Sequence, residues 1–461
     1  MSIAYRPQHQ TRTAPEAPVT TGGHLTDPAW PGAVTAAAGA ASADAVVSEL
    51  RSQPDLPGQL DAQIQPEQPR ARPVRRGFAT SAVHAGQEPD PLTGAVIPPI
   101  YQTSTFTQTG VETLTGGYEY SRGGNPTRNG LETQLAALEG GTAAFAFASG
   151  VAAEDALLRA VLRPGDTVVA AAECYGGTHR LLTQPYGRWG IATEFVAPGD
   201  LATLEVAVSA PEARVVWLET PTNPLLTVAD IGAWAQVAHA HGALLVVDNT
   251  FASPALQTPL LLGADAVVHS TTKYIGGHSD VLGGAVVVGD ALWEGEPLAE
   301  LLRFQQFAGG AVAGPQDAYL TSRGLKTLGV RIRQHCENAQ AVAQWLSGRT
   351  GVERVYYPGL PGHAGHDIAQ TQMDGFGGIV SFRLGSEERA RAVAEGTQLC
   401  GLSVSLGGVE SLICHSATMT HAAAAGTDQA PPRDLVRVSV GIEDVDDIVE
   451  DLDRAISLAL R

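Results

Sequence analysis

Short apolar runs rich in β-branched residues alternate with amphipathic helical patterns through most of the chain after Phe78. This alternation constrains the fold more than any other feature, because strands joined by helices form a mostly parallel sheet with helices on both faces. Helical spacing predicts helices at residues 151–162 and 231–241. The predicted strands are residues 143–148, 167–171, 193–196, 215–219, 244–247, 266–270 and 285–288. We therefore expect a large α/β domain.

The chain divides into three predicted regions. Residues 1–76 hold 10 of the 29 prolines, lack sustained periodicity, and balance seven arginines against seven acidic residues. We predict that this tail is disordered. Residues 77–328 form the large domain with an N-terminal arm. Residues 329–461 form a smaller α+β domain that closes over a cleft. The predictions for the smaller domain are a helix at 332–346 and strands at 352–356, 378–382 and 435–440.

Composition excludes several classes of protein. The formal net charge of −19 argues against nucleic-acid binding. No apolar run approaches the length of a membrane span, and the start of the chain resembles neither a secretory signal nor a transit peptide. The cysteines are far apart in sequence and form no CxxC pair, which favours reduced thiols in a cytoplasmic protein over disulfides or a zinc site. They are Cys174, Cys336, Cys400 and Cys414.

Only two of the 29 basic residues are lysines, Lys273 and Lys326. Lys326 lies in a stretch with helical spacing, where we expect it on a helix surface. Lys273 follows a predicted strand and precedes two glycines, a pattern typical of a loop that faces a cleft. A solvated charge is the simpler explanation of such a lysine. However, the hydroxyl residues at 270–272 make Lys273 the candidate for an amine that forms a Schiff base.

The ends of the other predicted strands carry further polar signals. Residues 148–151 (ASGV) end one strand and begin a helix, which leaves backbone N–H groups free for a phosphate, although a plain turn would have the same sequence. Asp248 follows a fully apolar strand, where it needs a cationic partner or caps the next segment. A phosphate site, a buried carboxylate and a Schiff-base lysine are together what pyridoxal phosphate requires. Tyr175 could then stack on the cofactor ring.

From about Gly77 to its C-terminus the chain resembles the cystathionine γ-synthase/cystathionine γ-lyase group of the Cys/Met-metabolism family, pyridoxal-phosphate-dependent enzymes of fold type I. Many motifs in the family's order carry the resemblance. They are YEYSRGGNPTR (118–128), FASG (147–150), YGGTHR (175–180), ETPTNP (219–224), VVDNTF (246–251), HSTTKYIGGHSD (269–280), SLGGVESL (405–412) and VRVSVGIED (436–444).

The resemblance implies roles for the residues around the cofactor. Lys273 would bind the cofactor aldehyde and later relay protons, Asp248 would pair with the pyridine nitrogen, and Tyr175 would stack on the ring and assist catalysis. Four residues would bind the phosphate, namely Gly150 and Val151 through backbone amides and Ser270 and Thr272 through hydroxyls.

The resemblance also implies a substrate site and an assembly. Arg437 would hold the substrate carboxylate, with Asn223 and Ser405 beside it. Tyr120 and Arg122 would reach the phosphate of a neighbouring subunit, and Tyr120 would also contact substrate. Shared sites of this kind imply a homodimer, and in this family dimers commonly pair into tetramers.

Two positions bear on the reaction. Members of the family catalyse γ-replacement on O-acyl-homoserine, γ-elimination of cystathionine, or related eliminations and sulfhydrylations. Gly177 lies where methionine γ-lyases resemble one another in having cysteine, which disfavours that activity. Val404 lies where γ-synthases and cystathionine γ-lyases usually have glutamate, which resembles the methionine-lyase pattern. We expect a cystathionine γ-synthase or γ-lyase, with methionine γ-lyase or homoserine sulfhydrylase activity as the alternative.

Two hypotheses from other classes explain less. The long tail would suit a non-catalytic scaffold protein, but a degenerate enzyme would have lost Lys273, Asp248 or Arg437, and all three are present. A dinucleotide-binding dehydrogenase would show a GxGxxG motif after its first strand, and this sequence has none there.

Overall fold

The computed structural model describes residues 76–421, 426 and 430–461. The tail predicted to be disordered lies, except for Arg76, outside the described residues. Within these ranges no helix has the length and apolar character needed to cross a membrane.

Strands β1 to β16 fall into two main sheets and two short hairpins. In chain order they are Gln108–Gly110, Thr113–Leu114, Ala143–Phe147, Thr167–Ala171, Ala192–Val196, Ala213–Glu219, Leu244–Asp248, Ala266–His269, Gly284–Val288, Leu292–Trp293, Glu296–Pro297, Arg354–Tyr356, Ile379–Arg383, Gly401–Leu402, Leu412–His415 and Leu435–Ser439.

The α-helices of the described residues are α1 to α13. In order they are Phe78–His84, Pro126–Glu139, Gly150–Val161, Gly176–Leu181, Leu201–Val208, Ile231–Ala240, Leu298–Gly309, Pro315–Leu325, Leu328–Ser347, His366–Gln372, Glu387–Gly396, Ser416–Met419 and Val445–Ala459. A π-helical segment at Leu182–Tyr186 and a 3₁₀ turn at Pro259–Leu262 complete the set.

The large sheet has seven strands in the order β3-β9-β8-β7-β6-β4-β5. The pairs from β8 through β5 are parallel, and β9 is antiparallel to both of its neighbours. All seven predicted strands are present, each within two residues of its predicted bounds. The prediction of a mostly parallel α/β sheet is therefore confirmed.

Helices cover both faces of this sheet, which explains why its inner strands are largely apolar, whereas the edge strand β5 is exposed at alternate residues. On one face Val168 and Val246 pack with Leu157 of α3. On the other face Val216 and Val247 pack with helix α6. Strands that are buried on both sides cannot alternate polar and apolar residues. Polar side chains are therefore concentrated at the strand ends.

The smaller sheet has the order β12-β13-β16-β15-β14, and only its β14–β15 pair is parallel. The predicted strands β12, β13 and β16 are confirmed. The short strands β14 and β15 were not predicted, because the glycine- and serine-rich sequence between them is typical of a loop. The C-terminal α+β region is confirmed. A domain boundary between residues 328 and 329 stays a prediction.

Lys326 does not lie on a helix surface. Helix α8 ends at Leu325 and α9 begins at Leu328, so the lysine lies in the turn between them. The helical spacing around it comes from two successive helices, which the periodicity alone did not separate.

Candidate active site

Three neighbouring strands of the large sheet end in polar residues at one edge. Strand β6 ends at Glu219, β7 at Asp248 and β8 at His269. Glu219 is in register with Asp248, and Asp248 with Val268. Because the strands are parallel, their carboxyl ends bring these side chains together, as expected for a ligand site in a sheet of this kind.

Asp248 is 7% exposed, and its Oδ1 accepts a hydrogen bond from the Thr250 backbone N–H at 2.9 Å. The Thr250 hydroxyl in turn accepts from the Ser270 N–H at 2.9 Å. Burial raises the pKa of the Asp248 carboxyl, and the Thr250 hydrogen bonds oppose that shift. Asp248 therefore does cap a local turn, but only one of its oxygens takes part. Its Oδ2 makes no hydrogen bond to the described residues and is available to a ligand.

The amine of Lys273 donates a hydrogen bond to the Ser405 hydroxyl at 2.7 Å. Burial, and secondarily the charge of Arg437, lower the pKa of this amine to about 8. An amine with such a pKa is partly neutral near pH 7, as a nucleophile toward an aldehyde must be. Ser405 has φ +102°, a left-handed conformation that is rare outside glycine. The loop before β15 is thus held so that its hydroxyl meets the amine.

Arg437 is 3% exposed, and no described carboxylate forms an ion pair with it. Its Nη1 donates to the Asn223 side-chain oxygen at 2.9 Å, and its Nη2 donates to the Ser405 carbonyl at 2.8 Å. Its Nε is buried without a hydrogen-bond partner. A buried guanidinium bound only by neutral oxygens retains its attraction for an anion, so this group suits a ligand carboxylate.

Helix α3 presents its N-terminus to the same edge of the sheet. Ser149 caps the helix by accepting a hydrogen bond from Ala152 N–H at 3.1 Å. The N–H groups of Gly150 and Val151 have no partner among the described residues and point out of the first turn. A Cβ on Gly150 would lie 2.9 Å from the Ser270 Cβ. Only glycine therefore lets the helix approach Ser270, and together they form a concave group of donors suited to a phosphate.

Thr272 is placed differently from the other predicted phosphate ligands. Its hydroxyl donates to the Gly283 carbonyl at 3.1 Å and accepts from the Gly283 N–H at 3.0 Å. In this arrangement its proton holds the loop before β9. A role for Thr272 in binding phosphate stays a prediction that requires the hydroxyl to rotate.

Tyr175 is 41% exposed and precedes helix α4. Its backbone N–H donates to Glu219 Oε2 at 2.6 Å, which fixes the start of the helix against the sheet. A Cβ on Gly177 would lie 2.3 Å from Cε1 of the Tyr175 ring. The ring therefore rests on Gly177, and any side chain at that position would move it.

Tyr120 and Arg122 lie apart from this group. They line a groove with Ser104, Asn125 and Gly310, and the Arg122 guanidinium is 5.5 Å from the Tyr120 ring centroid. No hydrogen bond or ion pair among the described residues joins either side chain to Lys273, Ser270 or Gly150. Within one chain, the other predicted site residues form the cluster without them.

Sequence reasoning missed three residues that shape the site. Glu219 holds Tyr175, Thr250 joins Asp248 to Ser270, and Glu154 is a buried acid on α3. Two signals could have identified the acids. Glu219 ends a strand next to that of Asp248, and Glu154 interrupts the apolar face of an amphipathic helix.

These groups fit pyridoxal phosphate. The helix N-terminus offers unpaired N–H groups to its phosphate, and the open Asp248 oxygen offers a carboxylate to its ring nitrogen. The partly neutral Lys273 offers an amine to its aldehyde. The buried Arg437 lies beyond that amine, on the side of Ser405 and Asn223.

Replacing Gly150 by alanine tests the phosphate part of this arrangement. Since the new methyl group would overlap Ser270, we expect the dissociation constant of pyridoxal phosphate to rise by about tenfold to a hundredfold, the equivalent of roughly 1–3 kcal/mol of overpacking. Fluorescence titration of the apoprotein measures it. The matched control is Gly199→Ala, because a Cβ there would have no neighbour within 4 Å. Equal affinities in the two variants would contradict the placement of the phosphate.

Comparison with known proteins agrees with the geometry. The family described as Cys/Met metabolism PLP-dependent enzyme matches residues 79–457. The chain is 55% identical over 381 residues to a cystathionine gamma-synthase of Mycobacterium tuberculosis (strain ATCC 25618 / H37Rv), covering 82% of this chain and 97% of that protein. It is 45% identical over 387 residues to a cystathionine gamma-lyase of Bacillus subtilis (strain 168), covering 82% and 98%.

A solved structure shows the same fold. The crystal structure of metB from Corynebacterium glutamicum is similar with a TM-score of 0.81 and 49% sequence identity, covering 83% of this chain and 98% of that one. The fold, the family match and the relatives agree, and the chain belongs to the Cys/Met metabolism family of pyridoxal-phosphate-dependent enzymes.

Proposed function

We propose that this enzyme catalyses γ-replacement on an O-acyl-L-homoserine, in which the thiol of L-cysteine displaces the acyl group and L-cystathionine is formed. The observation that carries the proposal is the contact of Lys273 with Ser405, whose carbonyl also accepts from the unpaired Arg437. Ser405 thereby positions both the Lys273 amine, which would transfer protons, and the Arg437 guanidinium, which would bind a carboxylate. The 55% identity to a cystathionine gamma-synthase supports this reaction over others of the family.

When bound, pyridoxal phosphate withdraws electrons from the substrate and so acidifies its α- and β-protons. Asp248 keeps the ring nitrogen protonated through its open oxygen. Tyr175 would stack on the ring, and Gly150, Val151 and Ser270 would hold the phosphate. Because each of these groups comes from a strand end or helix start of one sheet, their positions are fixed by its packing.

Lys273 and Ser405 carry the proton transfers. The Lys273 amine, when not bonded to the cofactor, would remove a substrate proton, and a pKa of about 8 suits a base near neutral pH. The Ser405 hydroxyl keeps that amine directed at the substrate. Thus one lysine serves both to bind the cofactor and to move protons.

Arg437 binds the α-carboxylate of the substrate, and Asn223 and Ser405 orient the guanidinium. The bonds to Asn223 Oδ1 and the Ser405 carbonyl fix its plane, and its remaining N–H groups can form a paired contact with a carboxylate. Every amino-acid substrate of the proposed reaction carries that group.

γ-Elimination of cystathionine is the second candidate, and the 45% identity to a cystathionine gamma-lyase supports it. Val404 favours instead a substrate that has no distal ammonium group. This residue is 44% exposed and apolar two positions after β14, so it cannot bind the distal ammonium group of cystathionine or cysteine. A methionine γ-lyase or homoserine sulfhydrylase activity is a further alternative. Against a methionine γ-lyase, the Tyr175 ring occupies the space that a cysteine at position 177 would need.

Product analysis distinguishes these reactions. We expect cystathionine from O-succinyl- or O-acetyl-homoserine plus cysteine, at a higher kcat/KM than the cleavage of cystathionine alone. If neither assay gives product while methionine does, the proposed reaction is wrong.

Val404→Glu adds a carboxylate that can bind an ammonium group. We therefore expect it to shift the ratio of activity on cystathionine to activity on methionine several-fold toward cystathionine. Val404→Gln, which adds similar bulk without charge, is the control. An unchanged ratio would show that position 404 does not set specificity.

We also propose a homodimer with shared active sites, and a tetramer formed by pairing two dimers. The absence of any hydrogen bond or ion pair between Tyr120 or Arg122 and the other described site residues of the same chain supports this, since both would serve the site of the neighbouring subunit. The four free cysteines support a location in the cytoplasm. The partners of the proposed reaction are small amino-acid substrates.

Subunit mixing tests the shared site. Arg122→Ala and Lys273→Ala are each expected to inactivate the enzyme. Mixed dimers, formed by co-expression, would have one site with both residues intact, so we expect about a quarter of the parent activity to return if subunits pair at random. Mixing Lys273→Ala with Asp248→Ala, two residues of the same chain's cluster, is the control and should restore none. Failure of the first mixture to regain activity would show that each chain completes its own site.

A further inference from the structure

Glu154 is a buried acid that none of the steps above uses. It is 3% exposed and lies on helix α3, one turn after the Gly150 amide. Its Oε2 is buried and has no hydrogen-bond partner. An ionised carboxylate in such a position is unfavourable by several kcal/mol unless donors compensate it.

Glu219 and Asp248 are also buried and lie in register on strands β6 and β7, and the charge of Asp248 acts on Glu154, so we treat the three carboxyl groups as one cluster. Both oxygens of Glu219 accept backbone N–H groups, from Tyr175 at 2.6 Å and from Asn223 at 3.1 Å. Asp248 accepts the Thr250 N–H. Glu154 accepts no backbone N–H from the described residues. The side-chain donor that acts on it is the buried Thr178 hydroxyl, which is outside hydrogen-bond geometry with every described residue.

Apart from His269, whose charge acts on Asp248, the described groups that act on Glu154 are acidic or neutral. Burial, and then the charge of Asp248, raise the pKa of Glu154 to about 8, and the Thr178 hydroxyl opposes the shift. The electrostatic influence of Glu154 extends to the Cys174 thiol and to the Tyr175 and Tyr186 hydroxyls. On the side of Asp248 the one cationic influence is His269. No described lysine or arginine forms an ion pair with Glu154.

Neighbouring carboxyl groups without a cation cannot all be ionised, and the local donors decide which of them keeps the proton. Burial raises the pKa of Glu219 too, but both of its oxygens already accept N–H groups, so it has no oxygen left without a donor. Glu154 does have an oxygen without a donor among the described residues, its Oε2, and protonation turns that oxygen into a donor.

We propose that Glu154 is a positioning residue that stays protonated at neutral pH and donates a hydrogen bond within this cluster. Asp248 thereby keeps its negative charge toward the ring nitrogen of the cofactor. This inference rests on the proposed role of Asp248. The proton on Glu154 itself is a property of the apoprotein and can be tested without cofactor.

The first test is the pH dependence of apoprotein stability. An acid whose pKa is higher when folded binds its proton in the folded state between the two values. Stability therefore falls as pH rises from about 4.5, the ordinary value, to about 8, and levels off above it. We measure the free energy of unfolding in urea from pH 5 to 8. In Glu154→Gln and Glu154→Leu we expect this free energy to fall less with rising pH than in the parent. Asp155→Asn, the next residue and a partner of Arg159, should follow the parent. Parallel profiles for parent and Glu154→Gln would overturn the proposal.

The second test is cofactor affinity at pH 7. Leucine cannot donate a hydrogen bond, so we expect Glu154→Leu to weaken pyridoxal phosphate binding by about tenfold, the effect of roughly one hydrogen bond to a charged group. Glutamine can donate one, and should recover most of the loss. If Glu154→Leu binds as the parent does, Glu154 is not a positioning residue. If Glu154→Gln does not fold, infrared spectroscopy of Glu154→Leu replaces the stability profile. We expect this variant to lose the carbonyl band of a protonated carboxylic acid that the parent shows. A band that persists in Glu154→Leu would overturn the proposal.

These results separate from the proposed function. Asp248→Asn should weaken cofactor binding more than Glu154→Leu does. Normal binding by Asp248→Asn would refute the role of Asp248, whatever the pH profiles of the Glu154 variants show. Weak binding by Asp248→Asn with unaltered Glu154 profiles would refute only the proton on Glu154.

Discussion

Lys273→Ala is expected to lower turnover of any amino-acid substrate by at least about a thousandfold. The variant loses the amine that holds the cofactor aldehyde and the base that moves substrate protons, and a positioned acid–base group alone typically contributes a hundredfold to ten-thousandfold. Steady-state kcat with saturating pyridoxal phosphate is the measurement. Added primary amines should restore part of the activity, because they can replace the base but not its position.

The sequence supplies an unusually direct control for this experiment. Lys326 is the only other lysine, and it lies in the turn between α8 and α9, away from the cluster. Lys326→Ala should keep the parent kcat. Borohydride reduction of the holoenzyme followed by peptide mass analysis should label the peptide of Lys273 and leave that of Lys326 unmodified. A Lys273→Ala enzyme that keeps the cofactor bound and turns over at the parent rate would refute the assignment of this site.

Arg437→Ala is expected to lower kcat/KM by about a hundredfold to a thousandfold. Removing one partner of a buried, hydrogen-bonded charge pair costs about 2–5 kcal/mol, and here the lost partner is the one that binds the substrate carboxylate. Most of the effect should be in KM, because the carboxylate is bound in the ground state and throughout the reaction. Cofactor affinity should change little, since Arg437 touches Asn223 and Ser405 rather than the cluster around Asp248.

Arg437→Lys should rescue little of this loss. A lysine is a point charge and cannot bond Asn223, the Ser405 carbonyl and a carboxylate with fixed geometry. Arg383, the last residue of the adjacent strand β13, gives the matched control, because it is a strand arginine of the same sheet that is paired with Asp434 at 2.9 Å. Arg383→Lys should leave KM unchanged. If Arg437→Lys and Arg383→Lys behave alike, Arg437 does not bind the substrate.

The strand predictions succeeded because they rest on local signals. Most strands of the large sheet are short apolar runs rich in β-branched residues, bounded by a helix pattern or by glycine and proline, and burial on both faces permits few polar interruptions in the inner strands. Strands β14 and β15 were not predicted, for the opposite reason. They have two and four residues, and their pairing with each other and with β16 supplies a stability that their own sequence does not signal.

The same distinction holds for the site. The types and order of its residues are readable from the sequence, since a lysine after a strand, an aspartate after an apolar strand and a helix start with small residues each have a local reason. What they touch is not readable. Lys273 and Ser405 are 132 positions apart, and Asn223 and Arg437 are 214 apart. No local pattern encodes those contacts.

The sequence by itself thus determined the large parallel sheet, the polar strand ends and the identity of the amine and the carboxylate. It did so because helix and strand periodicity and the punctuation between them are properties of neighbouring residues. Only the tertiary structure decided that Ser405 meets the amine, that Arg437 has no counter-ion among the described residues, that Thr272 is bonded to Gly283 and that Glu154 is buried. Those outcomes depend on burial and on which distant donors and acceptors packing brings together, and both arise only when the two sheets and their helices are assembled.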